Sequence, residues 1–162
     1  MSYDMIFKKA VDSALIERQL MLISDDGICV PSYDALLSLS WSVNYWLYPE
    51  KGVHPRKQSR ELVPKYVTQS KFGGMVVLTY SEHILNGVRL AVCNKLIEPA
   101  DVVILYCWFD EETNERRVNQ VLIDERGNLS DWPRGFFDQN EKDYSDLVNM
   151  NMTLNGQMSV WK

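Results

Sequence analysis

The sequence predicts an α/β fold: a mixed sheet, helices packed on it and a β-hairpin toward the C-terminal end. Three observations lead there. MVVLTY (75–80) and VVILYCWF (102–109) are continuous apolar runs rich in β-branched residues, the pattern of strands covered on both faces. Between them Ile84, Leu85, Val88, Ala91 and Val92 recur at helical spacing. After the second run, RRVNQVLIDERG (116–127) offers an antiparallel partner across the charged turn EETNE.

Each element has its own signal. Met5, Ile6, Ala10, Ala14 and Leu15 lie near helical spacing, so a helix is expected over 3–20. LISDDGICV reads as two short strands around a turn at Asp25-Asp26-Gly27. Pro31 and Ser32 open a second helical pattern through Leu36, Leu37, Leu39, Trp41 and Val43. YPEKGVHP breaks it with two prolines and a glycine. A helix is expected from Arg56 to Gln69, kinked or broken at Pro64, and ended by Gly73-Gly74. Ser81 is expected to cap the helix after MVVLTY, with Glu82 in its first turn. EKDYSDLVNM begins a last helix, and NMTLNGQMSVWK has no clear period and is expected to fray. The alternation of helices and strands divides the chain into a helical and hairpin region (1–45), an α/β lobe (46–150) and a tail (151–162), together forming one domain.

Bulk properties narrow the function classes. The chain has 162 residues, 46 % apolar and 24 % charged, enough for one domain with a real core. A net charge of −5 lacks the broad basic field that drives phosphate-backbone binding, so direct nucleic-acid binding by the chain alone is not expected. Lys51, Arg56, Lys57 and Arg60 form a local basic cluster, read as a solvated face. Cys29, Cys93 and Cys107 are widely spaced and form no C-x-x-C pair, which suits buried, reduced thiols in a cytoplasmic protein. No stretch approaches the roughly 20 apolar residues of a membrane span. His54 and His83 are the only histidines and stand far apart, so no metal site is expected. His54 is read as a loop residue beside Pro55 or a cap on the helix from Arg56.

YPEKGVHPRKQS, VVLTYSEHILNGVRLAV, ADVVILYCWF and LIDERGNLSDWPRGFFDQ follow one another in an order that resembles a family. It is the C-terminal half of the ABC-like AAA ATPases of prokaryotic defence and repair, relatives of OLD and SMC proteins. The branch is the one whose chains end in D-W-P-x-G-F-F-D. The resemblance covers about residues 45–148, and the block Asp131 to Asp138 is its most specific part. It implies a partial ATPase-type lobe. In the family an apolar strand ends in an acidic pair, followed by Pro-Glu and H-L-H-P. Pro49, Glu50 and His54-Pro55 match, but Leu47 and Tyr48 fall on the acidic positions and Gly52 on the first histidine. Neither Leu47 nor Tyr48 can offer a carboxylate to a hard cation. A T-H-S turn, whose histidine senses phosphate, is replaced by Thr79-Tyr80-Ser81. No G-x-x-x-x-G-K-[ST] loop occurs. Between Pro31 and Leu47 there is room for about one helix.

The resemblance therefore implies a truncated, degenerate ATPase lobe: a pseudoenzyme subunit without catalytic or metal-binding residues of its own. Glu50, Tyr80 and Ser81 are its nucleotide-proximal residues. Trp132, Arg134, Phe136 and Phe137 are its candidate partner-binding residues, since aromatics anchor interfaces and also close cores. The implied partner is a protein, an ATPase or an effector of an anti-phage system. No cofactor is expected for the chain alone, and ATP with magnesium only within a complex. The alternative is a split ATPase half that completes a site with a separate phosphate-loop chain. A different enzyme using Asp101, Asp110, Glu111 and Glu112 ranks last, because those acids show no metal-ligand spacing.

Overall fold

Alternation along each strand decides how the layers form. The computed structural model describes residues 3–15, 19–26, 44–133 and 135–158. Strand β1 (Leu20–Asp25), β2 (Asn44–Leu47), β3 (Met75–Leu78), β4 (Val102–Asp110) and β5 (Glu115–Val121) form one sheet in the order β2-β3-β1-β4-β5. The pairs β2/β3, β3/β1 and β1/β4 are parallel, and β5 closes the edge antiparallel to β4. The mixed α/β sheet with helices on it and a hairpin at β4–β5 is the class the apolar runs predict.

Leu20, Leu22, Met75, Val77, Val102, Ile104 and Tyr106 point to one face. There they meet Val63, Tyr66 and Val67 of helix α2 (Val63–Ser70), and Ile84, Leu85, Val88, Ala91 and Val92 of helix α3 (Glu82–Cys93). Met21, Ile23, Val76, Leu78, Val103, Leu105 and Cys107 point to the other face, where Phe7 and Val11 of helix α1 (Tyr3–Leu15) cover them. Strands β1 and β3 are buried at every position, as a strand covered on both faces must be. Buried apolar side chains of this size contribute roughly 2 kcal/mol each, so the two-sided core dominates the stability of the sheet.

Several expectations need correction. The first helix is described over Tyr3–Leu15 and does not reach residue 20, where β1 begins. The first half of the expected hairpin at 22–30 belongs to β1, a parallel strand at the centre of the sheet, and its second half lies outside the described residues. Asp25 ends that strand, pairs with Cys107 of β4 and is buried. β2 is a strand that helical periodicity through Trp41 and Val43 concealed. The helix opened by Pro31 falls outside the described residues. The last helix, α4 (Gln139–Met158), continues well beyond the point at which fraying was expected.

Pro64 does not end its helix, which runs on to Ser70. An α-turn at Pro55–Lys57 runs into a π-helical segment, Gln58–Leu62, and then into α2. In a regular helix the Pro64 ring crowds the carbonyl of Arg60. The wider turn comes directly before the proline, with the Val63 amide donating to the Gln58 carbonyl. It also turns the Gln58 side chain inward, where it is buried.

Candidate functional site

Parallel strands bring their carboxyl ends to one edge, and crevices there are the usual ligand positions of α/β sheets. Asp25 arrives from β1, Tyr48 and Glu50 from the turn after β2, and Thr79, Tyr80 and Ser81 from the turn after β3. Thus Glu50, Tyr80 and Ser81, the nucleotide-proximal set, do come together at one edge.

Tyr48 carries the geometry. Its amide continues the ladder by donating to the Leu78 carbonyl at 2.7 Å. Its backbone then enters the left-handed region, φ 49°, which is costly for an aromatic residue. The ring lies over Tyr80, with centroids 4.7 Å apart and planes 23° from parallel. The two hydroxyls are hydrogen-bonded at 2.9 Å. Lys51 places its ammonium 5.0 Å from the centre of the Tyr48 ring. Tyr48 was legible only as a failed acidic position. The structure makes it half of an aromatic pair that caps β2 and β3.

The carboxylates serve this pair. Glu50 Oε1 accepts from the Tyr80 amide at 2.8 Å. The Asp25 charge acts on the Tyr80 phenol. Burial, then the bond to Tyr48, then the Asp25 carboxylate push the Tyr80 phenol far above its ordinary range. Burial also raises Tyr48, opposed by its bond to Tyr80 and helped by the Asp25 and Glu50 charges. Both phenols stay protonated, so neither serves as a proton shuttle at neutral pH.

Ser81 stands at the N-cap of α3 with an extended backbone, and its carbonyl accepts from the Ile84 and Leu85 amides. Its hydroxyl does not cap the helix, which corrects the sequence expectation. It donates instead to Gln58 Oε1, while Gln58 Nε2 donates to the Val53 carbonyl. The Ser81 amide donates to Thr79 Oγ1 at 3.0 Å. These bonds tie the turn after β3 to the π-helical segment. His54 is a cap, its Nδ1 accepting from the Arg56 amide at 3.2 Å.

A fit to magnesium and a nucleoside triphosphate needs carboxylates at the end of β2 and a phosphate-sensing donor after β3. Leu47 and a Tyr48–Tyr80 stack stand there instead, and one Glu50 oxygen is engaged by the Tyr80 amide. These residues do not fit the group. Among the described residues, no cluster of three or more His, Cys, Asp or Glu is placed to hold a metal ion.

The D-W-P-x-G-F-F-D block borders the same edge, with Phe137 lining a cavity beside Tyr80, Ser81, Glu82 and His83, and it divides its residues. Phe136 is fully buried, edge-on to Tyr106 at 5.1 Å. Phe137 packs edge-on against Phe136 at 4.7 Å and is half-buried. Trp132 leans on Phe136 at 5.5 Å and remains 42 % exposed. Of the aromatic candidates, Phe136 is therefore a core residue that a partner cannot reach in this state, and Trp132 is the accessible one. Arg134 lies outside the described residues. Gly135 has φ +85°, and a Cβ there would sit 2.8 Å from the Tyr106 hydroxyl, so the knot needs glycine at that position.

Comparison with known families adds one finding. The model of a family described as "Protein of unknown function (DUF3696)" matches residues 97–147. That span runs from the end of α3 through β4, β5 and the aromatic block into α4. No curated protein and no solved structure matches the chain. Among the described residues no helix is long and apolar enough to cross a membrane.

Proposed function

We propose that this chain is a non-catalytic, ATPase-like interaction subunit, acting in the cytoplasm by docking onto a partner protein. The partner class is an ATPase or effector of a prokaryotic anti-phage system, and Trp132 and Phe137 are the aromatic contacts offered to it. The observation that carries this reading is the Tyr48–Tyr80 stack across the ends of β2 and β3. Aromatic rings there occupy the ground that metal and phosphate need, so the edge works as architecture. The partly exposed Trp132 supports the docking half of the reading.

The test is purification of the tagged full chain from its native host, identification of the co-purifying chain and measurement of their affinity. Trp132→Ala is expected to weaken that affinity at least tenfold, as loss of an aromatic anchor does, while the melting temperature of the free chain stays within a few degrees. Hydrolysis of ATP by the isolated chain, abolished by Glu50→Ala, would overturn the reading.

A second reading has one observation in its favour. Glu50 Oε2 is buried with no hydrogen-bond partner among the described residues, which leaves half of that carboxylate uncommitted. A split ATPase half would use it in a site completed by a separate phosphate-loop chain. ATP hydrolysis that requires both polypeptides and is lost in Glu50→Gln distinguishes this from docking alone.

A further inference from the structure

A cavity of about 270 Å³ opens where α3 and α4 begin. Tyr80, Ser81 and Glu82 line it from the turn into α3, and Phe137, Gln139 and Asn140 from the turn into α4. His83 completes the lining. Asn140 ties the two turns together by donating from Nδ2 to Glu82 Oε2 at 2.9 Å.

The hydrogen bonds in this lining spend donors and leave acceptors. An ionised carboxylate only accepts, so an amide bonded to one presents its nitrogen. Asn140 spends Nδ2 on Glu82 in this way, and Gln139 spends Nε2 on Asp143 Oδ1 at 2.7 Å. The Ser81 hydroxyl has given its proton to Gln58 Oε1. Glu82 Oε1, Asn140 Oδ1 and Gln139 Oε1 accept from no described residue. Glu82 is the one acid in the lining, and among the described residues no lysine or arginine joins it. Tyr80 and Phe137 add aromatic rings, whose faces attract a cation.

We propose that this cavity receives an arginine side chain of the docking partner, with its guanidinium on Glu82 Oε1 and against the Tyr80 and Phe137 rings. The inference rests on the docking reading above, because Phe137 belongs both to the docking face and to the cavity. Charge complementarity selects the occupant. An anion would meet the Glu82 carboxylate. The first turns of α3 and α4 attract negative charge, but Glu82 and Glu141 already supply it there. An apolar group would cover the leftover acceptors and strand them. Arginine suits the site better than lysine, since its flat fork of donors reaches several acceptors while lying on a ring, whereas an ammonium is a strongly hydrated point charge. The volume falls below the roughly 300–1,000 Å³ of cofactor pockets, which fits a single side chain.

Titration of the ¹⁵N-labelled full chain with Nα-acetyl-arginine amide, followed by backbone amide shifts, reads the cavity without a partner. Saturable shifts at Ser81, Glu82, Phe137 and Asn140 are expected, with a Kd of about 1–30 mM for so small a ligand. The citrulline analogue has nearly the same shape without the charge. That analogue, and separately Glu82→Gln, should weaken binding roughly tenfold or more. Glu98→Gln, beyond the far end of α3, should leave it unchanged. The proposal is overturned by the absence of a saturable shift, by equal binding of the citrulline analogue, or by inorganic phosphate saturating the same amides in place of the arginine amide. In the complex, Glu82→Gln should also weaken the partner's affinity roughly tenfold. An affinity indifferent to Glu82→Gln but weakened by Trp132→Ala would overturn the arginine contact and leave docking standing. Arginine-amide binding to the free chain, with partner affinity indifferent to both variants, would instead overturn the docking reading and with it the partner as the source of the arginine.

Discussion

Tyr66 sets its ring against Trp46, with centroids 5.4 Å apart, while its hydroxyl is buried with no hydrogen-bond partner among the described residues. The ring contributes to the core and the hydroxyl works against it. Tyr66→Phe keeps the ring and removes the stranded group, so a gain of about 1 kcal/mol is expected from the midpoint of urea unfolding. A loss of that size would mean the hydroxyl has a partner. Burial, and then the Glu50 charge, push this phenol up to about 12. The folded state then holds the proton more tightly than the unfolded chain, whose tyrosines titrate near 10. That contribution is complete below about pH 10 and is lost as pH rises toward the folded value. The advantage of Tyr66→Phe over the wild type should therefore widen between pH 10 and pH 12, measured as the difference in melting temperature. A constant difference across that window would contradict this account.

At the scale of elements, α3 is seated by a glycine. A Cβ on Gly87 would lie 2.7 Å from Val63 Cγ2 and 2.9 Å from the Cα of Ser59. The backbone of α3 thus approaches the π-helical segment more closely than any side chain allows. Gly87→Ala is expected to cost about 1–3 kcal/mol despite alanine's better helix propensity, again read by urea unfolding. A stabilised variant would show that the two helices part easily. The stripe of α3, the run of β4 and the β4–β5 turn were legible because each has a local signal several residues long. The start of LISDDGICV was legible as a strand, but Asp25-Asp26-Gly27 is a strong turn signal, and pairing with Cys107 of β4 is what draws Asp25 into the sheet. β2 spans four residues, too short for period-2 alternation to stand against the helical spacing before it. The tail of α4 lacks a sharp period, yet it continues a helix already begun, which costs less than starting one.

For the whole molecule, the edge on which function turns was half visible. Sequence order placed Glu50, Tyr80 and Ser81 together because each follows a strand or turn at a matching position. The role of Tyr48 was not visible, since a left-handed backbone and a ring stack are properties of the folded turn. The inward turn of Gln58 depends on a change of helix type that no residue pattern announces. The central claim is that this edge is closed by aromatic packing and does not take a nucleotide. Calorimetric titration of the purified full chain with Mg·ATP tests it most directly. The account predicts no saturable heat up to about 1 mM ligand. Saturable binding well below that concentration, lost in Glu50→Gln, would contradict it.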